Sequence, residues 1–171
     1  FIEQLSDLHK HTRLLDHGSN YALLSEDVLN LLKHPFIYSG HRESAGKLTA
    51  AVLEKRKVLV PLSVLQEYDD LKLFFQHLQH REDTVAYFIK ILEHIIRNIT
   101  DAEDTGENKL QIEFLYHAYT CMIRLSEVVS KSETDISPNL LFRMIRKVLG
   151  TITVPFSGEP LSGLQVLGIL E

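Results

Sequence analysis

Glu82–Ile99, EDTVAYFIKILEHIIRNI, decides how the chain is read. Val85, Phe88, Ile89, Leu92, Ile95, Ile96 and Ile99 recur at helical spacing over five turns, so a helix forms whose apolar face is too wide for one neighbour. Such width demands burial on more than one side. Working outward, Asp101–Asn108 is an acidic loop, and a second long helix runs from Lys109 to Ser130 with Leu110, Phe114, Leu115, Ala118, Met122, Leu125 and Val129 on its inner face. Ser137-Pro138 starts a third, serine capping and proline at the first helical position. Its core stripe is Leu140, Leu141, Met144, Ile145, Val148 and Leu149, and Gly150 ends it.

Upstream, Ile2, Leu5, Leu8, Thr12 and Leu15 predict an amphipathic helix to about Leu15, closed by Gly18-Ser19-Asn20. Ser25 is the expected N-cap of the next, with Glu26 and Asp27 in its first turn and Val28, Leu31 and Leu32 inward. Pro35 lacks an N–H and pushes His34 out of helical geometry, so that helix stops near Lys33. Arg42–Arg56 is helical with Ala45, Leu48, Val52 and Ala51 inward; Lys57–Pro61 is a short extended segment. The Ser63 to Gln66 spacing is that of a capping box, and a helix carrying Leu71, Leu73, Phe74, Phe75 and Leu78 follows.

The expected fold is mainly α: a helical bundle of about six to seven helices with a short β appendage at the C-terminus. Residues 1–150 form the helical body. Residues 151–171 are extended and end in a strand, Leu164–Leu170, bounded upstream by Ser157, Gly158, Pro160, Ser162 and Gly163.

A chain of 171 residues that is 44% hydrophobic can bury a core of its own. It has no run of eighteen apolar residues and no charged leader with an apolar core, and its single cysteine, Cys121, has no internal partner; a cytoplasmic setting is the expectation. A net charge of −5 argues against coating nucleic acid over the whole surface, yet leaves room for a local basic strip.

Five sets of residues invite a chemical reading. Gly40 to Lys47 imitates a phosphate loop, but five residues separate its glycines instead of four and Leu48 occupies the place of the magnesium-binding hydroxyl, so no nucleotide site is expected. Asp101, Glu103, Thr105 and Gly106 start like a calcium loop, and Ile112 stands where its bidentate glutamate belongs. His77 with His80, and His9 with His11, lack a metal-binding pattern, so no metal ligand set is expected. Cys121 lies in an apolar stripe with no base beside it, leaving no nucleophile and no catalytic residue. There remain two basic clusters. Lys55-Arg56-Lys57 closes a helix, and Arg143, Arg146 and Lys147 share one helix face opposite Leu141, Ile145 and Val148. All six are candidate DNA contacts, although cations near helix C-termini are favoured by the dipole in any protein.

Pro155-Phe156-Ser157-Gly158-Glu159-Pro160-Leu161, followed by Gly163 to Glu171, resembles a segment of the AddB-type proteins. These are bacterial helicase-like chains of the UvrD and RecB superfamily with an inactivated superfamily I motor and a PD-(D/E)XK nuclease. In them the segment leads into a Thr-Arg and Leu-Asp-Phe run, the counterpart of helicase motif V. Asp27-Val28, Leu31-Leu32 and His34-Pro35 are similar to a helix ending in His-Pro further upstream in the family. The resemblance, together with a start at Phe1 and an end in mid-strand, implies a piece of a longer protein: the helical 2B-like subdomain inserted in its second motor domain. It implies a non-catalytic lobe that positions DNA during double-strand-break repair and packs on neighbouring motor and nuclease domains, with a helicase–nuclease partner subunit. ATP and magnesium belong to the parent's motor in that reading, and no membrane is involved. A second reading, motivated by the acidic balance and wide apolar faces, is a helical protein-interaction or scaffold module with no nucleic-acid role.

Overall fold

A computed structural model describes residues 1–15, 20–78, 81–101, 106–131 and 136–153. In chain order the elements are α1 (Ile2–Lys10), β1 (Arg13–Leu14), β2 (Tyr21–Leu24), α2 (Ser25–Leu32), α3 (Pro35–Tyr38), α4 (Arg42–Lys55), β3 (Leu59–Pro61), α5 (Leu62–Leu65), α6 (Arg81–Thr100), α7 (Gly106–Lys131) and α8 (Pro138–Leu149). The chain is therefore mainly helical, as its periodicity predicts. The described strands lie in the first half of the chain, where β1, β2 and β3 form one antiparallel sheet in that order, with Arg13 opposite Ala22 and Leu23 opposite Val60. The β appendage and the strand Leu164–Leu170 fall outside the described residues.

The broad face of α6 is buried as its sequence demands. Val85, Phe88, Ile91, Leu92, Ile95 and Ile96 all enter the core, and Tyr87 joins them. α7 lies against it through Leu115, Ala118, Met122, Leu125 and Val129, while α8 closes the bundle through Leu141, Phe142, Ile145 and Leu149 and also meets α1. Ser137 caps α8 as expected, its Oγ accepting from the Leu140 N–H at 3.4 Å. Leu110, Phe114 and Leu140, expected to be internal, are instead exposed. The α8 stripe advances by four residues from Leu141 to Ile145 to Leu149, and this rotation brings Phe142 inward and turns Leu140 out.

Three further expectations are corrected. The first helix ends at Lys10 rather than Leu15, and Arg13 and Leu14 pair with β2. Thr12 spends its hydroxyl on the Leu8 carbonyl, closing the helix one turn early. Ser25 is the first residue inside α2, with Leu24 at the N-cap, and its N–H donates to the Val58 carbonyl. The capping box at Ser63 makes no cap, α5 is a single turn, and residues 66–78 form turns linked by three-residue bonds such as Phe74 N–H to Leu71 carbonyl. Leu71, Phe74 and Phe75, whose i, i+3, i+4 spacing would share one helix face, reach full burial from these turns instead. His34-Pro35 stops one helix and starts another: the His34 ring Nδ1 accepts from the Phe36 N–H at 3.2 Å, and Pro35 opens α3.

The turn region is tied to α6 by one buried bond, Tyr87 Oη donating to the Phe74 carbonyl at 2.8 Å. Burial also pushes the Tyr87 phenol far up, so it stays a donor. Tyr87→Phe should cost about 1–3 kcal/mol, because it strands a buried carbonyl. A lower urea midpoint at unchanged slope is the expected result.

His9 of α1 sits against the rings of Tyr87 at 5.2 Å and Phe142 at 5.4 Å, and its buried Nε2 has no hydrogen-bond partner among the described residues. Burial, with a smaller push from His77, lowers its pKa to about 4. The folded state thus refuses a proton that the unfolded chain takes near 6.5, and stability falls as pH drops through the interval from there to about 4. The full loss is about 3 kcal/mol. Chemical denaturation of His9→Phe at stepped pH should show a shallower decline across this window than the parent chain.

Candidate nucleic-acid interface

The sequence of α4 ends in consecutive cations, and the backbone arranges them unusually. Lys55 is the last helical residue, and Arg56 caps the helix at φ 43°, ψ 29°, the only non-glycine residue with positive φ among those described. Its N–H still reaches the Leu53 carbonyl at 3.3 Å. Glycine is the usual occupant of this left-handed C-terminal position, where a side chain costs roughly 1–2 kcal/mol. The left-handed step breaks the helical rotation, so Lys55, Arg56 and Lys57 are all exposed, and none has an ion pair among the described residues. Lys55 and Lys57 rim a small apolar hollow floored by Val52, Leu59, Val60 and Val64. Apolar floor and cationic rim suit a strand that offers phosphates and a base or sugar face. Arg56→Gly should raise stability by about 1 kcal/mol by removing the left-handed penalty. A urea midpoint above that of the parent chain is the readout.

The α8 cluster differs. Arg143, Arg146 and Lys147 are exposed opposite the buried Leu141 and Ile145, as predicted, but Arg146 Nη2 is 2.6 Å from Glu3 Oε1 of α1. Glu3 and Asp7 share one groove with Arg143, Arg146 and Lys10, so this face carries both signs. An exposed pair of this kind contributes about 0–1 kcal/mol, but the neighbouring carboxylates weaken the potential that a phosphate would meet. The two basic clusters line separate grooves with no residue in common.

The remaining sequence features have structural roles. Lys47, the lysine of the imitation phosphate loop, is bonded to Glu43 one turn away at 2.6 Å, and this contact lowers the Glu43 pKa and raises that of Lys47. His77 stacks on Tyr21 with ring centroids 3.6 Å apart, and His11 pairs with Asp27 at 2.7 Å. Cys121 is half-buried on α7. His80 and the calcium-like stretch Glu103 to Thr105 lie outside the described residues. Among the described residues, no three His, Cys, Asp or Glu side chains are grouped to hold a metal ion, and no helix is long and apolar enough to cross a membrane.

Another polar cluster has no counterpart in the expectations from sequence. His41, at the N-terminal boundary of α4, is 8% exposed. Its Nδ1 faces Asp70 Oδ2 at 3.3 Å, and its Nε2 lies 2.7 Å from Nε2 of His94 on α6. The side-chain amide of Asn98, one turn beyond His94, is 3.3 Å from the first Nε2 and 3.2 Å from the second. The two imidazoles are near parallel at 9°, and Phe74 meets both edge-on. Burial, then His41 and Arg97, hold His94 below the usual histidine range, opposed by Asp70. Gly40 leaves the room required, since a Cβ there would come within 2.5 Å of Asn98 Nδ2. Only the four-residue spacing of His94 and Asn98 is visible in the sequence; His41 and Asp70 arrive by tertiary packing.

Comparison with known proteins finds no matching family model, no matching curated protein and no matching solved structure.

Proposed function

We propose that this chain is a non-catalytic helical accessory lobe of a bacterial helicase–nuclease-like protein that processes DNA ends in double-strand-break repair. In this proposal it touches the nucleic-acid backbone through Lys55, Arg56 and Lys57. The observation that carries the reading is the left-handed turn at Arg56, which presents three consecutive cations free of ion pairs among the described residues. A phosphate contact needs only accessible cations whose attraction is not spent on protein carboxylates, and this turn meets that condition better than the α8 face. The resemblance of Pro155–Glu171 to the AddB-type segment supplies the context. ATP, magnesium and nuclease chemistry then reside in neighbouring domains of a parent chain in the cytoplasm, with a helicase–nuclease partner subunit.

Forked DNA titrated at low salt tests this reading by fluorescence anisotropy. Lys55→Glu with Arg56→Glu and Lys57→Glu should abolish most of a weak, sequence-independent affinity. The slope of log K against log salt should become shallower by roughly one for each phosphate that is no longer neutralised. The same reversal at Arg143, Arg146 and Lys147 should do less, because Glu3 and Asp7 already offset that face. Affinity unchanged by the first triple reversal would remove the turn from any DNA interface.

The other reading, a helical protein-interaction module without a nucleic-acid role, is favoured by α7. Its outer side leaves Leu110 54%, Tyr116 55% and Val128 63% exposed, more apolar surface than a solvent-facing helix needs. No measurable DNA affinity at low salt would make it the better account.

A further inference from the structure

We propose that His41, His94 and Asn98 form a binding site for a divalent transition-metal ion, with Asp70 orienting His41 from behind. The site is independent of the basic turn and of any role in DNA processing.

Three polar atoms converge between the start of α4 and α6. The two Nε2 atoms and the Asn98 amide define a triangle with sides of 2.7, 3.2 and 3.3 Å. With metal–nitrogen bonds of about 2.0–2.1 Å, neighbouring ligands lie ~3.3 Å apart at the tetrahedral angle and ~2.9 Å apart at a right angle. The triangle already has the size of one face of a coordination shell. Unliganded, the rings meet nearly head-on with centroids 4.9 Å apart, so binding opens the pair by about 0.6 Å and turns both rings until their lone pairs converge.

With Asp70 accepting from His41 Nδ1–H, the tautomer is fixed and the Nε2 lone pair is left to face His94. A carboxylate behind a histidine is the arrangement that orients metal-bound imidazoles and raises their basicity. Without metal, His94 must donate its Nε2–H to His41, since two lone pairs cannot face each other at 2.7 Å. On binding, His94 moves that proton to Nδ1 through solvent, which its half-buried ring allows, and the neutral pair releases none. Asn98 turns its amide to present Oδ1, an exchange of nearly isosteric ends. Phe74 forms an apolar wall beside both imidazoles, and water fills the remaining ligand positions.

The donor set is two imidazoles and an amide oxygen, which suits zinc, nickel or copper better than calcium or magnesium. Two histidines with one neutral oxygen make a weaker site than a four-ligand structural zinc centre, so the ion exchanges and is removed by chelators. Because His41 starts α4 and His94 belongs to α6, the ion would clamp the first half of the chain onto the central helix.

Zinc titrated into the chelator-treated 171-residue chain by calorimetry tests the assignment. One-to-one binding is expected, with a rise in Tm of about 5–10 °C at a hundredfold excess over Kd, reversed by EDTA. His94→Gln, at a half-buried position, should lose the calorimetric signal and the Tm rise while keeping the metal-free Tm close to that of the parent chain. His77→Gln should keep both. Asn98→Asp, which places a charged oxygen in the third position, should tighten binding about tenfold or more. Absence of saturable one-to-one binding by the parent chain would overturn the proposal. So would equal affinity in the parent and His94→Gln chains, or, should His94→Gln fail to fold, an Asn98→Asp chain that binds no tighter.

Discussion

Burial of the broad apolar face of α6 is the constraint from which the other placements follow. A helix with Val85, Phe88, Ile91, Leu92, Ile95 and Ile96 turned inward presents more apolar surface than one neighbour can cover. Each such side chain contributes about 1.5–3 kcal/mol when removed from water, so α7, α8 and the turns around Phe74 gather on it from different directions. The polar groups at its edges then meet partners distant in sequence. Tyr87 reaches the Phe74 carbonyl, while His94 and Asn98 reach His41. One helix thus carries both the core of the second half and the polar clasp to the first.

The two basic clusters show how the same residue types acquire different electrostatics. On α8, arginines stand one helical turn apart and α1 packs alongside, so the carboxylates of Glu3 and Asp7 enter the same groove. At the end of α4 the chain leaves the helix through a left-handed residue, and among the described residues no acidic side chain lines the hollow rimmed by Lys55 and Lys57. Arg56 occupies a conformation that favours glycine, which is an energetic cost accepted next to a cationic surface. That coincidence of strain and cations without ion pairs among the described residues is what supports the proposed backbone contact.

Much of the fold was legible beforehand. The helices around Glu82–Ile99, Lys109–Ser130 and Ser137–Leu149 lie where periodicity and capping put them, and α4 ends at its basic tail. The errors fall on Leu15, Leu110, Phe114, Leu140 and the stretch from Ser63 to Leu78. Each is apolar or carries an acceptable helical signal, and each was decided by which neighbour was available. Phe114 remains exposed on α7 because α6 covers the opposite side, at Leu115 and Ala118. The segment 66–78 buries Leu71, Phe74 and Phe75 from turns, although their spacing fits one helix face equally well.

Local order along the chain determined the helical class, the positions of the long helices and the six cations offered to solvent, since amphipathic spacing, caps and charge act within a turn or two of backbone. Tertiary packing alone decided that Arg146 meets Glu3 and that His41, Asp70, His94 and Asn98 converge, because those partners are far apart in sequence and no local rule couples them. Side chains so distant along the chain become neighbours only when burial of shared apolar surface brings their helices together. The chemistry they then acquire belongs to the folded arrangement.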